Sequence, residues 1–354
     1  MLACDDRIRV PFRVCRRDRV SCSRQRVQIS RSFGPVARGQ GLNLQEIKQE
    51  MYDIIGDIHG HADELVALLG QLGYQPDAGV YRHPSRTVIF LGDFVDRGPK
   101  IHETLGIVRR MVEAGSAQAV MGNHELNILA HHTPAPGTCG GFLRGAEKRS
   151  QIEDTLAQVP FADLQSHLQW FRTLPLWLDL DGLRVVHACW DPESIAWLSE
   201  RLKRPINDEF LANACQPSGR HFQAVDVTLK GKEASLPDGV YFFDKHENPR
   251  HNIRLRWYAS PESHTYATYS FGPEAVPCDA IVSDHIVRAA VPYPAKEKPV
   301  FVGHYGLVGE RPTLLAGNVA CVDWGVANHG VLCAYRWDGE QALDADRFVW
   351  VSSR

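Results

Sequence analysis

A four-residue template, two apolar residues, then glycine, then a residue able to bind a metal, occurs four times in this chain. The copies are Ile54-Ile55-Gly56-Asp57, Phe90-Leu91-Gly92-Asp93, Val120-Met121-Gly122-Asn123 and Phe301-Val302-Gly303-His304. An apolar run ending on glycine reads as a buried strand that leaves its sheet through a sharp turn. The missing Cβ lets the backbone come close to whatever the next side chain binds. Four strand ends thus deliver ligand-type side chains to one place, in the crevice beyond the strands' carboxyl ends where α/β sheets bind ligands.

Between the templates, strand-like and helix-like segments alternate. Tyr52 to Ile55 precedes a helical stretch, Ala62 to Leu72, with Leu65, Val66, Leu68, Leu69 and Leu72 at helical spacing. Thr87 to Leu91 is the next strand, Ile101 to Glu113 a helix, and Ala117 to Met121 a third strand feeding a helix near Glu125 to Ala130. This alternation predicts a largely parallel sheet. Leu176 to Leu180 and Leu183 to His187 flank Asp181-Gly182, a hairpin signal that brings His187 to a strand end. Strand patterns at 299–302, 319–323, 331–337 and 347–351 predict that the C-terminal part completes a second sheet. The Pro- and Gly-dense segment 133–141 reads as an exposed loop bordering the site, and 146–172 reads as helical. Residues 188–298, with weaker periodicity, read as a cap-like elaboration of a domain spanning 51–354.

Charge separates the first 50 residues from the rest. They hold eleven Lys and Arg against five Asp and Glu, leaving 28 against 37 in an acidic main body. Few apolar residues and no sustained periodicity leave that segment without a core of its own, so it is expected to be a disordered tail or an upstream extension ahead of a natural start at Met51. A basic interaction arm or a targeting segment is the competing reading. The net charge of -3 argues against a surface that coats nucleic acid or a membrane, and no stretch approaches the roughly 18 apolar residues of a membrane span. Nine cysteines without a Cys-x-x-Cys pair give no disulfide framework and fit reduced thiols in a cytoplasmic protein.

The templates extend into Gly-Asp-Ile-His-Gly at 56–60, Gly-Asp-Phe-Val-Asp-Arg-Gly at 92–98 and Gly-Asn-His-Glu at 122–125. In this order, followed by late histidines, they resemble the calcineurin-like metallophosphoesterases, and within them the bacterial branch of the Ser/Thr phosphoprotein phosphatase superfamily, close to the diadenosine tetraphosphate hydrolases. The resemblance implies a four-layer αββα sandwich of two mixed sheets. Asp57, His59, Asp93, Asn123, His187 and His304 form a mixed oxygen and imidazole set without thiolate, which suits Mn, Fe or Zn. Six ligands suffice for two divalent or trivalent ions sharing a carboxylate, which can hold a hydroxide between them and grip phosphate oxygens. By resemblance, Asp57, His59 and Asp93 hold one ion, and Asp93, Asn123, His187 and His304 the other.

The resemblance also makes His124 the general acid that protonates the leaving oxygen, with Asp96 holding its ring and Arg97 forking onto the phosphate. A second phosphate-binding arginine is expected at Arg254 or Arg256, which would share one face of a strand. Glu125 reads as a helix N-terminal charge and Asp323 as a structural turn residue.

The leading expectation is hydrolysis of phosphate monoesters, with phosphoserine or phosphothreonine as substrate. Cleavage of dinucleoside polyphosphates is the alternative, and a metal-binding scaffold without chemistry comes third, because Asp96, Arg97 and His124 would have no use there. The partner is a phosphorylated protein, a nucleotide or a small phosphoester. Met121 stands where protein phosphatases commonly carry arginine, as an apolar residue does in the dinucleotide hydrolases.

Overall fold

The computed structural model describes residues 50–353 apart from 245–246 and 273–274, with side chains at 146–148 also left aside. The expectations for residues 1–49 lie outside the described residues. Two sheets face each other. The first runs in the order 323–324, 331–337, 51–55, 86–90, 117–119, with 348–352 paired to 331–337. Its strands 51–55, 86–90 and 117–119 are parallel, and 331–337 is antiparallel to 51–55. The second runs 319–321, 300–302, 184–186, 177–179, parallel except at the hairpin strand 177–179.

The period of two along each strand explains the layers. Ile54, Ile89, Leu91 and Val120 of the first sheet join Leu183, Val185, Phe301 and Ala320 of the second in one buried cluster between the sheets. The alternate residues Ile55, Val88, Phe90 and Ala119 pack outward against helices Ala62–Gln71, Ile101–Glu113 and Asn123–His132. Val186, Val300, Val302 and Cys321 pack outward from the second sheet against Trp190, Trp257 and Tyr258. A full side chain such as Ile54 stabilises the fold by roughly 1.5–3 kcal/mol when buried. The result is the four-layer αββα arrangement.

The C-terminal strands do not complete one sheet. The run expected as a single strand, 319–323, breaks at Val322: Val319–Cys321 pairs in the second sheet and Asp323–Trp324 in the first. Val322 lies in the core between the sheets, so the chain crosses that core there. The helical expectation for 146–172 resolves into a 3-10 turn, Ala146–Ile152, and helices Glu153–Gln158 and Phe161–Phe171, separated at Pro160.

Residues 188–298 divide in their packing. Leu198, Phe210, Leu211, Ala224 and Leu229, from helices Pro192–Ser199, Asp208–Ala214 and Arg220–Lys230, join the same core as the helices on the first sheet. Farther along, Leu236, Ile253, Tyr266, Tyr269, Cys278, Val282 and Ile286 form a small core of their own. No helix among the described residues is long and apolar enough to cross a membrane. The six cysteines among the described residues are free thiols.

Candidate functional site

The four templates converge as their pattern implies. A Cβ placed at Gly122 would lie 2.2 Å from Asp93 Oδ1, and one at Gly303 would lie 2.1 Å from Asp57 Oδ1. Glycine is the residue that lets these strand ends close on the two carboxylates. The turns that follow hold His59, Asp93, Asp96, Arg97 and His304 at positive φ. Each such residue costs roughly 1–3 kcal/mol, offset by surrounding contacts.

Asp93 stands at the centre. Its Oδ2 lies 3.6 Å from His59 Nε2, 3.5 Å from His187 Nε2 and 3.9 Å from His124 Nε2. Two sets have ligand atoms within 4.8 Å of one another, His59 with Asp93 and His124, and Asp93 with His187 and His304. Asp93 is common to both. Asn123 Oδ1 lies 2.7 Å from His304 Nδ1 and 3.1 Å from His187 Nε2. Asp57 belongs to neither set: its Oδ2 accepts the His304 amide at 3.0 Å, and its Oδ1 is buried without a hydrogen-bond partner. His124 stands in the first set where the resemblance puts Asp57.

Orientation is fixed from behind. His59 Nδ1–H donates to the Val95 carbonyl at 2.8 Å and His187 Nδ1–H to the Leu91 carbonyl at 2.7 Å, turning each Nε2 toward Asp93. Glu125 is more than a helix charge: fully buried, it accepts the amides of Gly122, Asp93 and Phe94 at 2.8–2.9 Å. It ties the second and third templates together. Asp323 is likewise buried beside the cluster, accepting the amides of Gly306 and Gly325.

The electrostatics divide the carboxylates. Burial, then Asp323, pushes Asp57 well above the usual carboxylate range. Burial acts the same way on Asp93 but is outweighed by His187 and His124, which hold it well below that range. Burial opposes charge on His187 too, yet Asp93 and Asp57 outweigh it and push the imidazole up to about 10. His59 is driven down by burial and Arg97, and His304 by burial and Arg254. Burial, then Asp93, pushes Glu125 up to about 7.

These residues fit divalent ions. Asp57 Oδ1 and His304 Nε2 are buried polar atoms without partners, and Asp57, a buried carboxylate pushed toward neutrality beside Asp323 and Asp93, is relieved by positive charge. The nitrogen and oxygen donor set suits first-row metals without selecting one.

Beside the cluster, His124 Nδ1–H donates to Asp96 Oδ2 at 2.6 Å, which leaves Nε2 facing the site. Arg97 donates from Nη1 to His59 Nε2 and from Nη2 to His124 Nε2, each at 3.1 Å. A cavity of about 470 Å³ runs from His59, Asp93, Asn123 and His304 to the segment around Phe242 and Arg250. Arg254 lines it, and its guanidinium makes no hydrogen bond or ion pair to a described residue, while its carbonyl accepts the Phe271 amide at 2.8 Å. Arg256 does not line it, and its Nε donates to the Ser270 carbonyl at 3.1 Å. The shared strand face expected for the two arginines fails because the strand Asn252–Arg254 ends at Arg254. The loop 133–141 does not line the cavity either.

A two-sheet sandwich with a histidine and carboxylate cluster at its strand ends is the frame of a metallophosphoesterase. The calcineurin-like phosphoesterase family matches residues 52–289, and the chain belongs to that family of hydrolases acting on phosphoric esters. It is 47% identical over 173 residues to the asymmetrical bis(5'-nucleosyl)-tetraphosphatase of Bacillus velezensis, covering 48% of this chain and 68% of that protein. It is 41% identical over 135 residues to the symmetrical bis(5'-nucleosyl)-tetraphosphatase of Neisseria meningitidis, covering 38% of this chain and 41% of that one. The chain therefore spans about two fifths of the Neisseria relative. A solved structure of a Saccharomyces cerevisiae protein serine/threonine phosphatase aligns at TM-score 0.47 and 14% identity, over 88% of this chain and 81% of that one.

Proposed function

We propose that this protein is a divalent-metal-dependent hydrolase of dinucleoside polyphosphates. The observation that carries the reading is the cavity, whose lining brings together the metal-type cluster, Arg254 and the apolar side chains of Phe242, Pro249 and Phe271. A phosphate chain needs cations along its path, and a nucleoside needs an apolar surface beyond it. The tetraphosphatase names of the relatives point the same way, as does Met121. The earlier preference for phosphoserine or phosphothreonine gives way on these grounds.

In this reading Asp57, His59, Asp93, Asn123, His187 and His304 hold the ions. Bound there, the ions would supply positive charge against the phosphoryl oxygens and make a water acidic enough to attack phosphorus. Arg97 and Arg254 bind the phosphate chain and hold the reacting phosphoryl group over the cluster. With Arg97 turned from His124 Nε2 onto the phosphate, His124 protonated at both ring nitrogens and oriented by Asp96 delivers the Nε2 proton to the bridging oxygen that leaves with one nucleotide. Attack by water breaks that phosphorus–oxygen bond and yields two nucleotides.

The test is turnover of diadenosine tetraphosphate and of a phosphopeptide panel by purified protein with Mn, with and without chelator. The expected dinucleotide preference exceeds about 100-fold, some 2.7 kcal/mol of transition-state discrimination. Phosphopeptide turnover without dinucleotide turnover would restore the phosphatase reading. Activity that survives complete metal removal would end both.

A further inference from the structure

The short helix Glu153–Gln158 lies far in sequence from every template, yet three of its residues bind the loop that carries Asp96 and Arg97. Thr155 is fully buried. Its Oγ1 accepts the Asp96 amide at 3.0 Å, and its hydroxyl donates to Asp96 Oδ1. That leaves Oδ2, the other oxygen of the same carboxylate, for His124 Nδ1–H. One residue away, Asp154 Oδ2 accepts the Arg97 amide at 3.2 Å. Gln158 spans the rest of the turn, donating from Nε2 to the Gly98 carbonyl at 2.8 Å and accepting the Ile101 amide at Oε1 at 2.9 Å.

Asp96 and Arg97 need such support. Their φ values are 67° and 69°, a conformation that residues with a side chain adopt at a cost. A loop left to itself would relax away from it, and Asp96 would carry the imidazole of His124 with it.

We infer that Thr155 is a positioning residue for proton delivery by His124. By engaging Asp96 Oδ1 and the Asp96 amide together, it fixes the carboxylate plane so that Oδ2 aims the imidazole at the leaving oxygen. Gln158 holds the far end of the same turn. The inference rests on reading His124 as the proton donor, and it is independent of which phosphoester the protein takes.

The experiment compares p-nitrophenyl phosphate, whose leaving oxygen needs little protonation, with phenyl phosphate, whose leaving oxygen needs more. The full chain is loaded with Mn. Thr155→Val is expected to lower kcat on phenyl phosphate about 10-fold or more and on p-nitrophenyl phosphate no more than about threefold, with KM unchanged on both. Thr155→Ser keeps the hydroxyl and should restore kcat to within about threefold. In a His124→Ala background, Thr155→Val should add no further loss, because the group it positions is gone. Equal losses on both substrates, additive loss on His124→Ala, or a Thr155→Ser as impaired as Thr155→Val would each overturn the inference. Should Thr155→Val fail to fold, Gln158→Leu carries the same comparison and the same expected selectivity. If His124→Ala keeps the wild-type dependence on the leaving group, the proton-donor reading falls and takes this inference with it.

Discussion

The α-carbon of Gly303 packs directly against the carboxylate of Asp57. A Cβ built there would lie 2.1 Å from Asp57 Oδ1, while the next amide, that of His304, donates to Asp57 Oδ2 at 3.0 Å. The obstacle is one oxygen of a buried carboxylate whose other oxygen accepts the His304 amide, so it cannot move without disturbing that hydrogen bond. Gly303→Ala is therefore expected to displace Asp57 and His304 together and to weaken Mn binding about 10- to 100-fold, the range seen when the support of metal ligands is disturbed. Titration of metal-free protein with Mn measures it. Wild-type affinity in the alanine variant would show that the cluster does not depend on this contact.

Arg254 and Arg256 should separate cleanly. Arg254 lines the cavity and its charge helps drive His304 down, whereas Arg256 is turned to the Ser270 carbonyl. Loss of a charge-assisted phosphate contact is worth roughly 1.5–3 kcal/mol, so Arg254→Ala should lower kcat/KM for diadenosine tetraphosphate by about 10- to 100-fold. Arg256→Ala should stay within about threefold, on the same scale. Arg254→Lys should recover only part of the loss, because a point charge does not reproduce the planar fork. Equal effects at both positions would remove Arg254 from the substrate path.

How far the sequence carries can be judged at particular residues. The strand ends were legible because Gly-ligand pairs follow apolar runs, and His187 was placed by the Asp181-Gly182 turn, which the structure shows as the hairpin 177–179 and 184–186. What pattern could not show was sheet membership. Val319 to Trp324 is a single apolar run, and nothing local marks Val322 as the point where it passes from one sheet to the other. The arginine pair misled because period-two reasoning assumes a strand that continues, and this one stops at Arg254. Glu125 gave half its role away by its place in Gly-Asn-His-Glu. Its hold on the amides of Asp93 and Phe94 joins segments 31 and 32 residues apart, and Thr155 reaches Asp96 across 59. Contacts of that kind leave no periodic trace.

Phe242 tests the identity of the leaving portion of the substrate. It lines the cavity from a strand paired with Pro249–Arg250. If a nucleoside seats there, Phe242→Ala should raise KM for diadenosine tetraphosphate by about 5- to 150-fold, since base–aromatic stacking is worth about 1–3 kcal/mol. Turnover of p-nitrophenyl phosphate, which carries no nucleoside, should not change by more than about twofold on the same scale. An equal effect on both substrates would mean that the ring supports the cavity and does not read the nucleoside.

His167 offers a check on the fold through a residue outside the candidate site. It is buried beside Trp170 and Phe171, and its Nδ1 has no hydrogen-bond partner. Burial, reinforced by the charges of Arg109 and His102, lowers its pKa from 6.5 to about 4, with Asp163 and Glu113 pulling weakly the other way. Above 6.5 the imidazole is neutral in both folded and unfolded chains and adds no pH dependence. Between 6.5 and about 4 the unfolded chain binds the proton and the folded one resists it, so stability falls as pH is lowered through that window. His167→Phe removes the titration and keeps an aromatic ring in the stack. The free-energy difference between variant and wild type, from denaturant unfolding of the metal-free proteins, should therefore be constant above pH 7 and shift in favour of the variant as pH approaches about 5. A difference that stays flat across that range would show that His167 takes up its proton as easily folded as unfolded.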